Sequence, residues 1–84
     1  MNILTRKRRS YIEDATGKMK LLDHIADVLF TQRMINNEEL ESITSIRGTH
    51  DKARTLIDTA RMKGDITSNI FMTTWDNHPE STSD

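Results

Sequence analysis

The feature that most constrains this chain is the helical spacing of its apolar residues. Ala53, Leu56, Ile57 and Ala60 follow an i, i+3, i+4, i+7 pattern, which places all four on one stripe of a helix. Similar spacing recurs through most of the 84 residues, whereas no stretch of strict alternation is long enough for a strand. A chain of this length has room for one small domain. The sequence therefore predicts an all-α fold, built as an antiparallel helical bundle.

Five helices are predicted from the residues that start and stop helices. Their expected spans are residues 3–15, 18–32, 37–46, 49–63 and 65–77. The third helix has the clearest start, because Asn36 can cap it and Glu39 stands three residues later, as in a capping box. Pro79 ends the fifth helix, so the predicted domain is residues 1–78 and residues 79–84 are expected to be a disordered tail. The predicted core consists of Leu22, Ile25, Leu29, Leu40, Ile43, Leu56, Ile57 and Ile70.

The composition argues against several kinds of function. The absence of cysteine excludes disulfides, thiolate zinc sites and a cysteine nucleophile, and it favours a reducing, cytoplasmic location. No run of about 18 apolar residues occurs, so no membrane-spanning helix is predicted. His24, His50 and His78 lack the spacing of metal ligands, and the glycines form no phosphate-binding loop. We therefore expect no catalytic site, no cofactor and no metal, and we predict that the protein is not an enzyme.

The charged residues are nearly balanced in number but unevenly placed. Twelve basic and 13 acidic side chains give a formal net charge of -1, which argues against bulk attraction to nucleic acid or to a membrane. Basic residues concentrate in the first and fourth predicted helices, as Arg6, Lys7, Arg8, Arg9, Lys52, Arg54 and Arg61. Acidic residues concentrate in the second and third, as Asp23, Asp27, Glu38 and Glu41. Charge counts alone favour an ordinary solvated surface; two complementary patches that bind a partner are the other interpretation.

Two further kinds of partner fit the basic first helix less well. A helix-turn-helix that binds DNA or RNA would use residues 6–9 as a basic arm, but the exposed faces of the third and fourth helices mix acidic with basic residues. An amphipathic helix on a membrane surface needs more apolar area than the first helix offers. Nucleic-acid binding stays the alternative function, and no membrane contact is expected.

Several short segments between residues 22 and 64 carry a recognisable pattern. They are Leu22-Asp23, Asp27-x-Leu29, Arg33-Met-Ile-Asn36-Asn-Glu-Glu-Leu40-Glu, Asp51-Lys-Ala-Arg-Thr-Leu-Ile-Asp58 and Lys63-Gly64. Together they resemble the caspase recruitment domain, a family of the death-fold superfamily. The resemblance covers about residues 3–76, and its fourth-helix motif is the most specific part. It is strongest to the prodomains of inflammatory caspases and to decoy proteins that consist of this domain alone.

The resemblance implies a death-fold bundle that associates with other caspase recruitment domains. In such an association the basic patch of one domain meets the acidic patch of the next, and repetition of that contact builds a filament. By position, Asp27 would be central to the acidic patch, and Arg54 and Lys52 to the basic patch. The expected partners are caspases, adaptors or sensors in inflammatory or apoptotic signalling, with self-assembly as a further expectation. We expect the sixth helix of the family to be short, clipped or absent in this chain.

Overall fold

Five helices make up the part of the chain, residues 2–78, that the computed structural model describes. They are α1 (Ile3–Glu13), α2 (Met19–Thr31), α3 (Asn37–Thr44), α4 (Thr49–Lys63) and α5 (Asp65–Asn77). No residue within that range lies in a strand, so the all-α prediction is confirmed. The helices begin and end within two residues of the predicted positions. The predicted tail, residues 79–84, and any sixth helix lie outside the described residues.

The start of α3 has the predicted capping box. The side-chain oxygen of Asn36 accepts a hydrogen bond from the Glu39 N–H at 2.8 Å, and Glu39 Oε1 accepts one from the Asn36 N–H at 2.9 Å. These bonds satisfy two donors that the first turn of a helix leaves free. Residues 32–36 therefore end α2 and start α3 as a short, well-bonded connection.

The far end of α3 differs from the prediction, because the helix stops at Thr44 instead of Ile46. The Ser45 hydroxyl donates to the Ser42 carbonyl at 3.0 Å, and the Lys52 ammonium donates to the Thr44 carbonyl at 3.1 Å. Side chains that bond to backbone groups compete with the next turn of a helix. The last carbonyl of α3 is thus satisfied from α4.

Helix α4 is the central helix of the bundle. It packs against α1, α2, α3 and α5, and its stripe of Ala53, Leu56, Ile57 and Ala60 is fully buried. The outer side of α4 is polar, so this one helix contributes both to the core and to the charged surface.

Six of the eight predicted core residues are at most 1% exposed, and these are Leu22, Ile25, Leu29, Ile43, Leu56 and Ile57. The prediction is wrong for Leu40 and Ile70, which are only partly buried. Helix α3 has eight residues and packs on α2 and α4, and only Ile43 on it is fully enclosed. Ile70 lines an open groove between α2 and α5 together with Val28.

Aromatic side chains form the contact between α1 and α5. The Tyr11 ring lies edge-on to Phe71 and to Trp75, with ring centroids 5.3 and 4.9 Å apart, which is a favourable geometry for aromatic pairs. Burial raises the pKa of the Tyr11 hydroxyl to about 12. This cluster leaves the polar side of α1 facing outwards.

Replacing Leu56 by Ala should destabilise the fold by about 2–5 kcal/mol, since it removes a fully buried side chain and leaves a cavity. Met62→Ala on the same helix is the matched control, because Met62 is 84% exposed and its loss should change stability by less than about 0.5 kcal/mol. Thermal or urea unfolding measures both. Equal stability of the two variants would contradict the assignment of α4 as the central helix.

Candidate protein-interaction surface

The predicted basic residues are on α1 and α4, which run antiparallel to each other. At one end of the pair Arg61 Nη1 donates to Thr5 Oγ1 at 3.4 Å. At the other end His50 Nε2 lies 3.2 Å from Thr16 Oγ1. Residue numbers rise along α1 as they fall along α4, so Arg8 and Arg61 meet where the two helices pack together.

Asp58 joins these two helices. Arg8 donates to it from Nε at 2.8 Å and from Nη2 at 3.2 Å, a bidentate arrangement. Arg61, one turn along α4, donates to Asp58 Oδ1 from Nε at 3.3 Å and from Nη2 at 3.1 Å. The hydrogen bonds from Arg8 and then those from Arg61 hold the pKa of Asp58 below its usual value, although partial burial opposes them. The same pair raises the pKa of Arg8. Two guanidinium groups therefore converge on one carboxylate.

Apart from Lys52, the other predicted basic residues of α1 and α4 are more exposed. Arg54 pairs along α4 with Asp51, Nη1 to Oδ1 at 2.7 Å, and its side chain is half exposed. Arg9 is almost fully exposed and lies 3.8 Å from Glu13. Arg6 and Lys7 are exposed without an ionic partner among residues 2–78. These residues are accessible to a binding partner.

Lys52 and Asp23, predicted on opposite patches, bind each other within the chain. The Lys52 ammonium donates to Asp23 Oδ1 at 2.5 Å. The Lys52 side chain is 2% exposed, whereas Asp23 is 44% exposed. A buried ammonium needs such partners because an unpaired charge is costly to remove from water. The fold thus uses Lys52 to tie α4 to α2 and α3, and its ammonium is not presented to a partner.

The remaining predicted acidic residues are on α2 and α3. Lys52 reaches both Asp23, near the start of α2, and the end of α3, so these two helices run antiparallel. Asp27 is one turn after Asp23 on α2, and Glu41 is about one turn before the end of α3. Asp27 and Glu38 are exposed without an ionic partner among the described residues. Glu41 is exposed and accepts one long bond of 3.5 Å from Asn37.

Glu39 and Asp58 are among the ion-paired residues that were not assigned to any site from the sequence. Glu39 Oε2 lies 3.0 Å from Lys63 Nζ and connects α3 to the end of α4. The Asn36 N–H, followed by Lys63, holds the pKa of Glu39 below its usual value. The role of Asp58 as the shared partner of Arg8 and Arg61 was also not predicted. The i, i+3 spacing of Asp58 and Arg61 is visible in the sequence and predicts one of its bonds, but its bond to Arg8 requires the α1–α4 packing.

The histidines are at the surface or its boundary. His50 and His24 are exposed, and the His24 ring lies 4.9 Å from that of His78. Among residues 2–78, no three His, Asp or Glu side chains are grouped as ligands for a metal ion. None of the helices in that range combines the length and the apolar character needed to cross a bilayer.

The described residues form a small all-α bundle with charged side chains on the outer sides of its helices. A sequence profile of the caspase recruitment domain matches residues 1–84. Caspase-1 of the dog, Canis lupus familiaris, is 34% identical over 71 residues, which are 83% of this chain and 17% of the length of that relative. No solved structure gives a significant match. The chain belongs to the caspase recruitment domain family, whose members are interaction modules for caspase recruitment.

Replacing Lys52 by Ala should lower stability by about 1–3 kcal/mol, because its buried stem and two hydrogen bonds are lost together. Arg54→Ala is the matched control: the side chain is half exposed, so a change within about 0.5 kcal/mol is expected. Urea unfolding compares the two. A Lys52→Ala protein that unfolds like the parent would show that the ammonium is not needed to join α2, α3 and α4.

Acidification should destabilise the fold through Asp58 and Glu39. Both have folded-state pKa values below their ordinary values of 3.8 and 4.5, so the unfolded chain binds these protons more tightly. Their stabilisation is full above about pH 5 and is lost as the pH falls through the ordinary values towards the folded-state values. Urea unfolding at several pH values measures this loss, and Asp58→Asn should make it shallower. An equal pH dependence in parent and variant would contradict the role of Asp58.

Proposed function

We propose that this domain binds other caspase recruitment domains through two complementary charged faces. The basic face lies on α1 and α4 and comprises Arg6, Lys7, Arg8, Arg9, Arg54 and Arg61. The acidic face lies on α2 and α3 and comprises Asp27, Glu38 and Glu41. Two observations together carry the proposal. Asp27 on α2 is exposed and has no ionic partner among the described residues, and Arg8 of α1 and Arg61 of α4 are clustered at Asp58. Lys52 and Asp23 are left out because they are paired with each other.

The two faces differ, so a contact between them is heterologous. A heterologous contact leaves one face of each domain unused, and its repetition gives a filament when the rotation does not close. Arginine suits such a contact because its planar group can bind a carboxylate through two parallel hydrogen bonds. The domain thereby recruits, or competes for, a caspase, adaptor or sensor with the same type of domain.

The similarity to caspase-1 of the dog supports a role in inflammatory or apoptotic signalling. The domain would act either as the prodomain of a caspase or as a separate regulator that blocks assembly. The lack of cysteine supports a reducing, cytoplasmic location. The basic face is a poorer fit to nucleic acid, because Glu13, Asp51 and Asp58 lie beside its arginines and would repel phosphates.

Asp27→Arg should abolish self-association and binding to a related domain while leaving the melting temperature nearly unchanged. Asp27 is exposed on the polar side of α2, so reversal adds like-charge repulsion at the interface without disturbing the core. Asp76→Arg is the matched control, since it makes the same charge change at an exposed position on α5 outside both faces. Light scattering measures assembly, and circular dichroism measures folding.

Arg54→Glu, which reverses a charge on the basic face, should likewise abolish self-association and binding to a related domain. The two reversed proteins each keep one intact face, so a mixture of them should form small complexes that cannot grow. If both variants are folded and assemble like the parent, the two charged faces are only solvated surface and the proposal is wrong.

A further inference from the structure

Asp58 is acidic, yet it lies within the basic face. We propose that Asp58 is a positioning residue of this interface, which fixes Arg8 and Arg61 as a pair that binds one carboxylate of the partner domain. This inference rests on the function proposed above. It assigns an interface role to a residue whose charge has the same sign as the partner surface.

The position of the pair depends on Asp58. Arg8 comes from α1 and Arg61 from α4, and both donate to the same oxygen, Oδ1 of Asp58. Two like charges this close repel each other, and the repulsion is balanced only by the carboxylate between them. The Arg61 group is also held by the Thr5 hydroxyl. Without Asp58 the two long side chains would separate and become mobile.

The pair keeps hydrogen-bond donors for a partner. A guanidinium group has five N–H donors, and Arg8 uses only its Nε and Nη2 atoms on Asp58. Arg8 Nη1 has no hydrogen-bond partner among the described residues. Two cations against one carboxylate also leave one positive charge uncompensated. A single carboxylate from the acidic face of the next domain, where Asp27 is exposed and unpaired, would balance that charge.

Holding the pair in the free domain should tighten binding. A long side chain loses conformational entropy when an interface orders it. Arg8 and Arg61 are about one third exposed and already bonded, so much of this ordering precedes association. Asp58 therefore contributes by keeping two donors in one place.

Removing the Asp58 charge distinguishes positioning of the arginines from simple charge attraction. The two explanations predict opposite changes in binding affinity. If the basic face acts only through its net charge, Asp58→Asn makes the face more positive and strengthens binding to an acidic partner. If Asp58 positions the arginines, the same substitution weakens binding. The asparagine side chain has nearly the same shape and Asp58 is 38% exposed, so the variant is expected to fold.

The experiment uses a pair of domains that can join only once. The Asp27→Arg protein keeps its basic face, the Arg54→Glu protein keeps its acidic face, and titration calorimetry gives their Kd. Adding Asp58→Asn to the Asp27→Arg protein should raise this Kd at least about tenfold, equivalent to 1.4 kcal/mol. Glu13→Gln in the same protein is the control. It makes the same change in charge on α1, but Glu13 is mostly exposed and 3.8 Å from Arg9, so the Kd should stay equal or fall.

Unchanged or tighter binding by the Asp58→Asn protein would overturn the inference. Should that protein melt below the assay temperature, Arg8→Lys and Arg8→Gln decide the question instead. Lysine keeps the charge but has no planar fork, so positioning requires that both variants lose binding to a similar extent, and full binding by Arg8→Lys would overturn it. Failure of the proposed function is a different result: the reversed proteins would assemble as the parent does, and the inference would fall with it.

Discussion

Burial of one narrow apolar stripe on α4 is the constraint on which the arrangement of the other helices depends. The stripe is fully buried, and α4 packs against all four of its neighbours. A domain of this size buries only about 60% of the surface that its unfolded chain exposes, so a single shared helix is an economical way to build a core. The remaining circumference of α4 is free to carry charge.

The polar side of α4 also organises the bundle. Lys52 reaches α2 and α3, Asp58 binds Arg8 of α1, and Lys63 binds Glu39 of α3. These ion pairs range from nearly buried to about one third exposed, and exposed pairs contribute little to stability. Lys52 is the exception, because its ammonium is enclosed. Charge substitutions on α4 therefore differ in effect according to whether the side chain faces a neighbouring helix or the solvent.

Residues of the family's fourth-helix motif fall on both sides of this division. The fourth-helix motif, Asp51 to Asp58, contains Lys52, Arg54 and Asp58 within eight positions, yet the three have different environments. Lys52 is buried and joins three helices, Arg54 is half exposed, and Asp58 links two guanidinium groups. A positive charge in this motif is thus no guide to a binding role until its burial is known.

The sequence by itself determined the helices, six of the eight predicted core positions and the family. Helical periodicity and capping residues are local properties, so they predicted all five helices among residues 2–78 and the capping box at Asn36. The same periodicity indicates which side of a helix is apolar, but not how much of that side its neighbours cover, which is why Leu40 and Ile70 were assigned to the core. The pairing of Lys52 with Asp23 and of Asp58 with Arg8 was decided only by the tertiary structure. These partners are 29 and 50 positions apart in the sequence, and only helix packing brings their charges within bonding distance.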